Sequence, residues 1–185
     1  MIGQMSSSDA AAAHAQRSPE AARSRTVTWQ DPVAVAGIGA EMAGLDYVTA
    51  ISTGELPPPP IAVLMNMQPV ELAPGFAVFE GQPGEEHYNP IGVVHGGYAS
   101  TLLDSALGCA VHTTLEQGAA YTTLSLEVKF LRAITRETHR VRAEAEVLHR
   151  GRRQATAKAK LTDAATGKLL ATATTTCIIL GEPSA

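Results

Sequence analysis

The chain of 185 residues is poor in cysteine, in aromatic residues and in long apolar runs. Its two cysteines, Cys109 and Cys177, lie in separate apolar stretches and form neither a metal motif nor a disulfide framework. We therefore expect a reducing compartment, the cytoplasm. Aromatic residues make up only 4% of the chain and the net charge is −4, which argues against a nucleic-acid partner. No apolar run reaches the roughly 18 residues of a membrane span.

Positive charge is also missing from a long part of the chain. Residues 26–126 contain no Lys or Arg and ten acidic residues, whereas residues 127–168 contain eleven basic and five acidic residues. Such segregation is typical of solvated strand faces. The alternative is that the basic stretch binds a polyanionic small molecule.

Hydrophobic residues make up 45% of the chain, enough for one packed domain. Residues 1–28 predict a mobile tail without the pattern of a secretory signal. Residues 29–60 predict a helix, which begins at Asp31-Pro32 and ends before Gly54, followed by a stiff proline connector. Residues 61–181 predict the main domain.

The main domain has the pattern of an α+β fold. Two short strands are predicted between residues 62 and 80, and Pro69 makes the first an edge or irregular strand. The segment from about His95 to Leu115 is apolar on almost all sides, which is typical of a buried helix. Four alternating strands follow, over about 123–131, 141–148, 155–161 and 169–180. An antiparallel sheet wrapped round one long central helix fits this order.

Two glycines and one carboxylate in the predicted central helix point to chemistry. Gly96 and Gly97 open the helix, where free N–H groups and the positive end of the dipole favour an oxyanion. The alternative is that the glycines only permit close packing. Asp104 lies in the middle of the apolar helix, where a charge is costly without a partner. A general base and a carboxylate tied to a neighbouring hydroxyl both remain open. We find no metal motif.

The segment from Asn89 to Asp104, N-P-I-G-V-V-H-G-G-Y-A-S-T-L-L-D, resembles the signature of hot-dog fold acyl-CoA thioesterases of the phenylacetate-degradation (PaaI) type. Residues 122–126, 130–132 and 149–152 are similar to that family's next strand and hairpin. The resemblance covers about residues 61–180. It implies a hot-dog fold and hydrolysis of an acyl-CoA thioester to free acid and CoA, without a cofactor.

The resemblance also implies roles for individual residues. Asp104 would be the base or the nucleophile, and the Gly96 N–H would polarise the carbonyl oxygen. Supporting roles would fall to Asn89, which holds the water or the thioester, to His95, and to Thr123, which orients the water. Gly97 and Thr122 would bind substrate, and Thr122 is a rival to Thr123 because the preceding loop differs in length. Ser125 departs from the family, since many relatives have an acidic residue there.

The spacing of Gly96 and Asp104 predicts an oligomer. Eight residues span about 12 Å along a helix, too far for both groups to reach one carbonyl. Two antiparallel copies across a two-fold axis bring Gly96 of one beside Asp104 of the other. We therefore expect a homodimer with shared sites, and a dimer of dimers (a homotetramer) is the further alternative.

Three arginines, Arg150, Arg152 and Arg153, flank a turn glycine and are candidates for the phosphates of CoA. An ordinary exposed hairpin is the alternative. Two other functions remain open. One is a non-catalytic acyl-CoA-binding or dimerisation module. The other is a hot-dog acyl dehydratase, since the motif that begins at His87 is faintly similar to that of acyl-carrier-protein dehydratases.

Overall fold

A computed structural model of the chain describes residues 22–181. The helices are α1 (Pro32–Ala40), α2 (Gly44–Thr53), α3 (Pro60–Leu64) and α4 (Gly96–His112), with a 3-10 turn at Glu85–His87. The strands are β1 (Met67–Ala73), β2 (Phe76–Gly81), β3 (Ala120–Phe130), β4 (Val141–Arg150), β5 (Gln154–Asp163) and β6 (Leu169–Leu180). All paired strands are antiparallel, and their order in the sheet is β1-β2-β4-β5-β6-β3.

The core lies between the sheet and α4, as the sequence predicts. Nine residues of α4 are buried, Leu102 and Leu103 completely. The inward positions of β4 and β5 are mostly alanine, and small side chains let the helix approach the strands closely. The predicted α+β class, with a sheet wrapped round one long helix, is confirmed. No helix within residues 22–181 has the length and hydropathy needed to cross a bilayer.

The predicted N-terminal helix is divided in two. Asp31 caps α1 as expected, with its carboxylate accepting the Val33 N–H at 2.9 Å. The second helix ends at Thr53, before Gly54, also as expected. The break between them follows from a tertiary contact that no local pattern reveals. The Gly44 N–H donates to the Leu115 carbonyl at 2.9 Å, so the start of α2 is held against the end of α4. A Cβ at Gly44 would lie 1.9 Å from the His112 carbonyl oxygen, which leaves room only for glycine.

The predicted mobile tail falls partly outside the described residues, because the structure begins at residue 22. Residues 22–28 form no helix or strand, and Arg25 is fixed to the main domain. Its guanidinium donates to the Val63 carbonyl at 2.9 Å and to the Glu86 carboxylate at 2.7 Å. This part of the tail therefore lies along α3. Pro60, expected in the connector, is the first residue of α3.

A β-bulge in β3 changes which residues face inward. The pairing with β6 shifts between Thr123 and Ser125, so Leu124 has no direct partner and is 54% exposed. Strict alternation along this strand predicts Leu124 on the same face as Leu126 and Val128, and the bulge makes that prediction wrong. Before the bulge Thr123 points toward α4, whereas after it Leu126 does.

Candidate active site

The N-terminus of α4 carries a free backbone donor. His95 is the N-cap, and its Nδ1 accepts the Gly97 N–H at 2.8 Å. The Gly96 N–H has no acceptor among residues 22–181 and points from the positive end of the helix dipole. Gly96 can therefore donate to a ligand. The Gly97 N–H is already used by His95, so this donor does not serve the substrate contact predicted for Gly97.

Asn89 shapes the loop that leads into α4. Its side-chain oxygen accepts the N–H groups of Ile91 and Val93 at 3.1 and 3.3 Å, and its own N–H donates to the Val93 carbonyl at 2.9 Å. The Asn89 side-chain NH₂ has no acceptor within residues 22–181. Asn89 thus holds the loop through its oxygen and keeps its amide donor for a ligand.

Asp104 is paired with the hydroxyl that the sequence nominates. Thr123 Oγ1 donates to Asp104 Oδ1 at 3.1 Å, and this bond orients the carboxylate. The Oδ2 atom of Asp104 has no donor in the described part of the chain. Thr122 is exposed, and of the two rivals only Thr123 forms a hydrogen bond with Asp104.

Cys109 lies one turn after Asp104, and its buried thiol is poorly suited to act as a nucleophile. Burial, together with the Asp104 carboxylate, raises the pKa of its thiol to about 12. A protonated thiol is a poor nucleophile at neutral pH. Burial also raises the pKa of the Cys177 thiol, which lies behind Thr123. Asp104 is therefore the group in this part of the chain that is suited to accept a proton from water.

Gly96 and Asp104 open into different cavities. A cavity of about 300 Å³ lies at the start of α4, where Gly96 and His95 face Phe130 and Arg132. A second cavity of about 510 Å³ contains Asp104, on the side of α4 that faces α2. The two groups do not meet within one chain, in agreement with the 12 Å of helix between them.

The turn between β4 and β5 that carries Arg150, Arg152 and Arg153, here called the basic hairpin, lies at the other end of the sheet from Gly96. Gln154, next to the turn, pairs with Ile178, and Ile178 pairs with Thr122 at the start of β3. Gly96 instead contacts Phe130, about 25 Å farther along β3 at roughly 3.3 Å per residue. The hairpin therefore lies near the C-terminal end of α4 in its own chain.

The arginines of the hairpin differ in exposure. Arg152 and Arg153 are exposed, whereas Arg150 is half-buried and donates to the Gly151 carbonyl at 3.0 Å. Lys158 and Lys160, farther along β5, form ion pairs with Glu146 and Glu144, both at 2.7 Å. These ion pairs occupy the outer face of the sheet, so the two lysines do not extend the arginine cluster.

His87 belongs to the scaffold. Its Nδ1 accepts the Gly84 N–H at 3.0 Å, and its Nε2 lies 3.3 Å from the Leu64 carbonyl. The ring also packs against Tyr98 in a tilted arrangement, with centroids 4.9 Å apart. Both ring nitrogens therefore have protein partners. Among residues 22–181 no three His, Cys, Asp or Glu side chains form a group able to hold a metal ion.

The N-terminal helices contribute to the site in a way that the sequence does not reveal. Tyr47, Val48 and Ile51 of α2 line the cavity that contains Asp104. Their helical spacing indicates a buried face, but it does not reveal what that face covers. The feature of the sequence that could indicate this role is the proline connector, a stiff segment that limits where α2 can lie relative to β1.

Sequence comparisons identify relatives of this chain. The profile of the thioesterase superfamily matches residues 91–170. Acyl-coenzyme A thioesterase 13 of Homo sapiens is 34% identical over 109 residues, which cover 59% of this chain and 76% of that protein. The Mus musculus protein of the same name is 31% identical over 109 residues, which again cover 59% of this chain and 76% of that protein.

Two solved structures that are similar to this chain support the same family assignment. A phenylacetic acid degradation-related protein from Ralstonia eutropha is 31% identical, with a TM-score of 0.65 over 71% of this chain and 98% of that chain. A mutant of the phenylacetic acid degradation protein PaaI from Thermus thermophilus is 30% identical, with a TM-score of 0.57 over 65% and 98%. The predicted resemblance is confirmed, and the chain belongs to the thioesterase superfamily, as one of its hot-dog fold members.

Proposed function

We propose that this protein hydrolyses acyl-CoA thioesters and that Asp104 activates the water. The observation that carries the assignment is the Asp104 carboxylate, which lines a cavity and is oriented by the Thr123 hydroxyl. A carboxylate in this position can accept a proton from water within hydrogen-bond reach. The family relationship supports the same reaction.

The reaction balances with these groups alone. Water gives a proton to Asp104 as its oxygen bonds to the thioester carbon, and the carbonyl oxygen becomes an oxyanion that the Gly96 N–H stabilises. The carbon–sulfur bond then breaks, and the proton passes from Asp104 to the CoA sulfur. Direct attack by the carboxylate on the carbonyl is the alternative, and it depends on Asp104 equally.

We place each site between two chains. Within one chain Gly96 and Asp104 open into separate cavities, so one thioester cannot contact both. Antiparallel packing of two α4 helices about a two-fold axis brings the Gly96 end of one beside Asp104 of the other. Asn89 and His95 then belong to the Gly96 side of a site, and Thr123 to the Asp104 side. Assembly of such dimers into a tetramer stays a prediction.

The same arrangement gives the basic hairpin a role. The hairpin lies near the C-terminal end of its own α4, and antiparallel packing places that end beside the partner's Gly96 end. Arg152 and Arg153 are exposed there, and guanidinium groups bind phosphate oxygens in bidentate fashion. We assign them, with Arg150 as a supporting residue, to the phosphates of CoA.

Two other functions are separable by experiment. A dehydratase needs a histidine free to exchange protons, and both ring nitrogens of His87 are held by Gly84 and Leu64. A non-catalytic binding module needs no oriented carboxylate, whereas Asp104 has Thr123 as a specific partner. Both observations favour the thioesterase.

A thiol-release assay with DTNB and a panel of acyl-CoAs tests the proposal. We expect free CoA in step with acyl-CoA consumed, at neutral pH and without added metal. Hydration of an enoyl-CoA without thiol release would favour the dehydratase, and saturable binding without turnover would favour the binding module.

A further inference from the structure

The cavity that contains Asp104 is built largely by the N-terminal helices. It has a volume of about 510 Å³, within the range of small-molecule sites. Residues of α2, of the proline connector with α3, and of β1 form one side, and the outward face of α4 forms the other. The lining includes Tyr47, Ile51, Ile61, Met67, Phe79 and His112. Most of it lies outside residues 91–170, which the superfamily profile matches.

The chemistry of the lining favours an uncharged, apolar ligand. Asp104 is the only Asp, Glu, Lys or Arg among the described residues that line this cavity. The Ser52 hydroxyl is already used, because it donates to the Pro69 carbonyl at 3.1 Å. Apolar side chains from several elements, among them Val48, Ile61 and Phe79, make up most of the remaining wall. A carboxylate or phosphate would therefore lose its hydration there without compensation.

The cavity has a direction. Asp104 and His112 both line it and are eight residues apart on α4, so it runs about 12 Å from the carboxylate toward the end of the helix. At the far end the His112 ring lies between Tyr47 and Tyr121, with centroid distances of 5.6 and 5.4 Å. Burial lowers the pKa of His112, so this end wall carries no charge at neutral pH.

We propose that this cavity holds the acyl group of the substrate and that the N-terminal helices make the enzyme selective for apolar acyl groups larger than acetyl. The inference rests on the proposed thioesterase function, since the thioester carbonyl would sit at Asp104 with the acyl group extending toward His112. The three rings at the far end limit the length of that group. Medium-length alkyl and aryl acyl groups share the required chemistry.

Two exposed residues of α3 offer a matched pair of variants. Ile61 lines the cavity and is 45% exposed, whereas Leu64 is on the same helix, is 49% exposed and does not line it. We compare Ile61→Trp with Leu64→Trp, and add Ile51→Trp as a second filling variant on α2. The readout is the ratio of kcat/KM for octanoyl-CoA and for phenylacetyl-CoA to that for acetyl-CoA, which cancels a uniform loss of folded enzyme.

We expect the wild type to prefer both larger substrates, and Ile61→Trp or Ile51→Trp to lower the octanoyl-to-acetyl ratio about tenfold, the effect of a misfitted apolar group. Leu64→Trp should leave the ratio within about twofold of wild type. A smaller effect on phenylacetyl-CoA than on octanoyl-CoA would identify the aryl group as the better fit. An unchanged ratio in both filling variants would overturn the acyl-site assignment.

Binding of S-octyl-CoA, a thioether that cannot be hydrolysed, separates this inference from the proposed reaction. We expect S-octyl-CoA to bind the wild type at least about tenfold more tightly than CoA, because its alkyl group is buried. Ile61→Trp should remove most of that difference. If the alkyl group adds affinity but no acyl-CoA is hydrolysed, the acyl site stands and the thioesterase proposal fails. If it adds none, the acyl site is wrong whatever the activity.

Discussion

The Thr123 hydroxyl donates to Asp104 Oδ1 at 3.1 Å, from the edge strand β3 to the middle of the central helix. This bond uses one carboxylate oxygen of a residue that lines the cavity, and the other oxygen has no donor among residues 22–181. It also places the hydroxyl just before the bulge in β3, where the strand changes register. The pairing of one acid with one hydroxyl is the basis of the first two predictions.

Replacing Asp104 with asparagine should lower kcat at least about 100-fold, because the amide cannot accept the proton of water. Asparagine has nearly the same shape and can still accept the Thr123 hydroxyl, so the thermal midpoint should change little. Asp46→Asn, an exposed acid in the first turn of α2, is the control and should keep full activity. Wild-type rates in Asp104→Asn would show that another group activates the water.

Thr123→Val should lower kcat about tenfold, since it removes a hydrogen bond to a charged group while keeping the β-branched shape. The neighbouring Thr122→Val is a matched control, because that side chain is exposed and does not contact Asp104. Thr123→Ser should restore most of the activity. Steady-state kinetics of the three variants would contradict the assignment if Thr122→Val proved the more damaging change.

The shared site predicts complementation between two inactive variants. Asp104→Asn and Asn89→Ala damage opposite sides of each site, so a mixed dimer keeps one intact site of two. Random subunit exchange should recover about a quarter of wild-type activity, because half of the dimers are then mixed. Mass spectrometry verifies the exchange. Activity that stays at the level of the parent variants after verified exchange would place each site within one chain.

The fold and the centre of the site are predictable from local patterns, whereas the surroundings of the site are not. Residue periodicity predicts the alternating strands β4 and β5 and the apolar helix α4. The segment from Asn89 to Asp104 contains both the proposed base, Asp104, and the proposed oxyanion donor, Gly96. The bulge at Leu124 depends on how β3 pairs with β6. These strands are distant in sequence, since β3 ends at Phe130 and β6 begins 39 residues later, at Leu169. No local rule reveals that pairing.

Other features of the site depend on contacts between distant segments. Gly44 breaks the N-terminal helix because it meets the end of α4, and the role of α2 in the cavity follows from that contact. The sequence nominates Gly97 as a ligand contact, yet the conformation of His95 commits that N–H to the helix cap. Such outcomes are decided by tertiary packing, not by spacing along the chain.

The basic hairpin predicts an effect on KM that depends on the nucleotide. Arg152→Ala combined with Arg153→Ala should raise KM for acyl-CoA about fivefold at low salt, because the contacts to phosphate are lost. The effect is modest because exposed charges are partly screened by solvent. The double variant Lys158→Ala with Lys160→Ala removes the same charge from residues already paired with Glu146 and Glu144, and should leave KM unchanged.

A short thioester that lacks the nucleotide supplies the second readout for the hairpin. Its hydrolysis should be equal in the wild type and in the arginine variant, because no phosphate is present to bind. Wild-type KM for acyl-CoA in the arginine variant at low salt would move the phosphate site to Arg132 and Arg136, of which Arg132 lines the cavity beside Gly96.

His112 predicts a loss of stability at acidic pH. Burial between the rings of Tyr47 and Tyr121 lowers the pKa of His112 in the folded protein. The unfolded chain, with an ordinary histidine pKa of about 6.5, therefore binds the proton more readily. Protonation then favours unfolding, so this cost is absent well above pH 6.5 and grows as the pH falls below it. Burial raises the pKa of both tyrosines, which stay neutral across this range.

His112→Phe keeps an aromatic ring between the two tyrosines but removes the titrating group. Thermal midpoints measured from pH 7.5 to pH 5 should fall less steeply for His112→Phe than for the wild type. His139→Phe, at an exposed position, is the control and should follow the wild-type curve. Parallel curves for His112→Phe and the wild type would show that other groups govern the acid sensitivity. In that case the burial of His112 at the end of the cavity is not what lowers the stability of the folded protein at acidic pH.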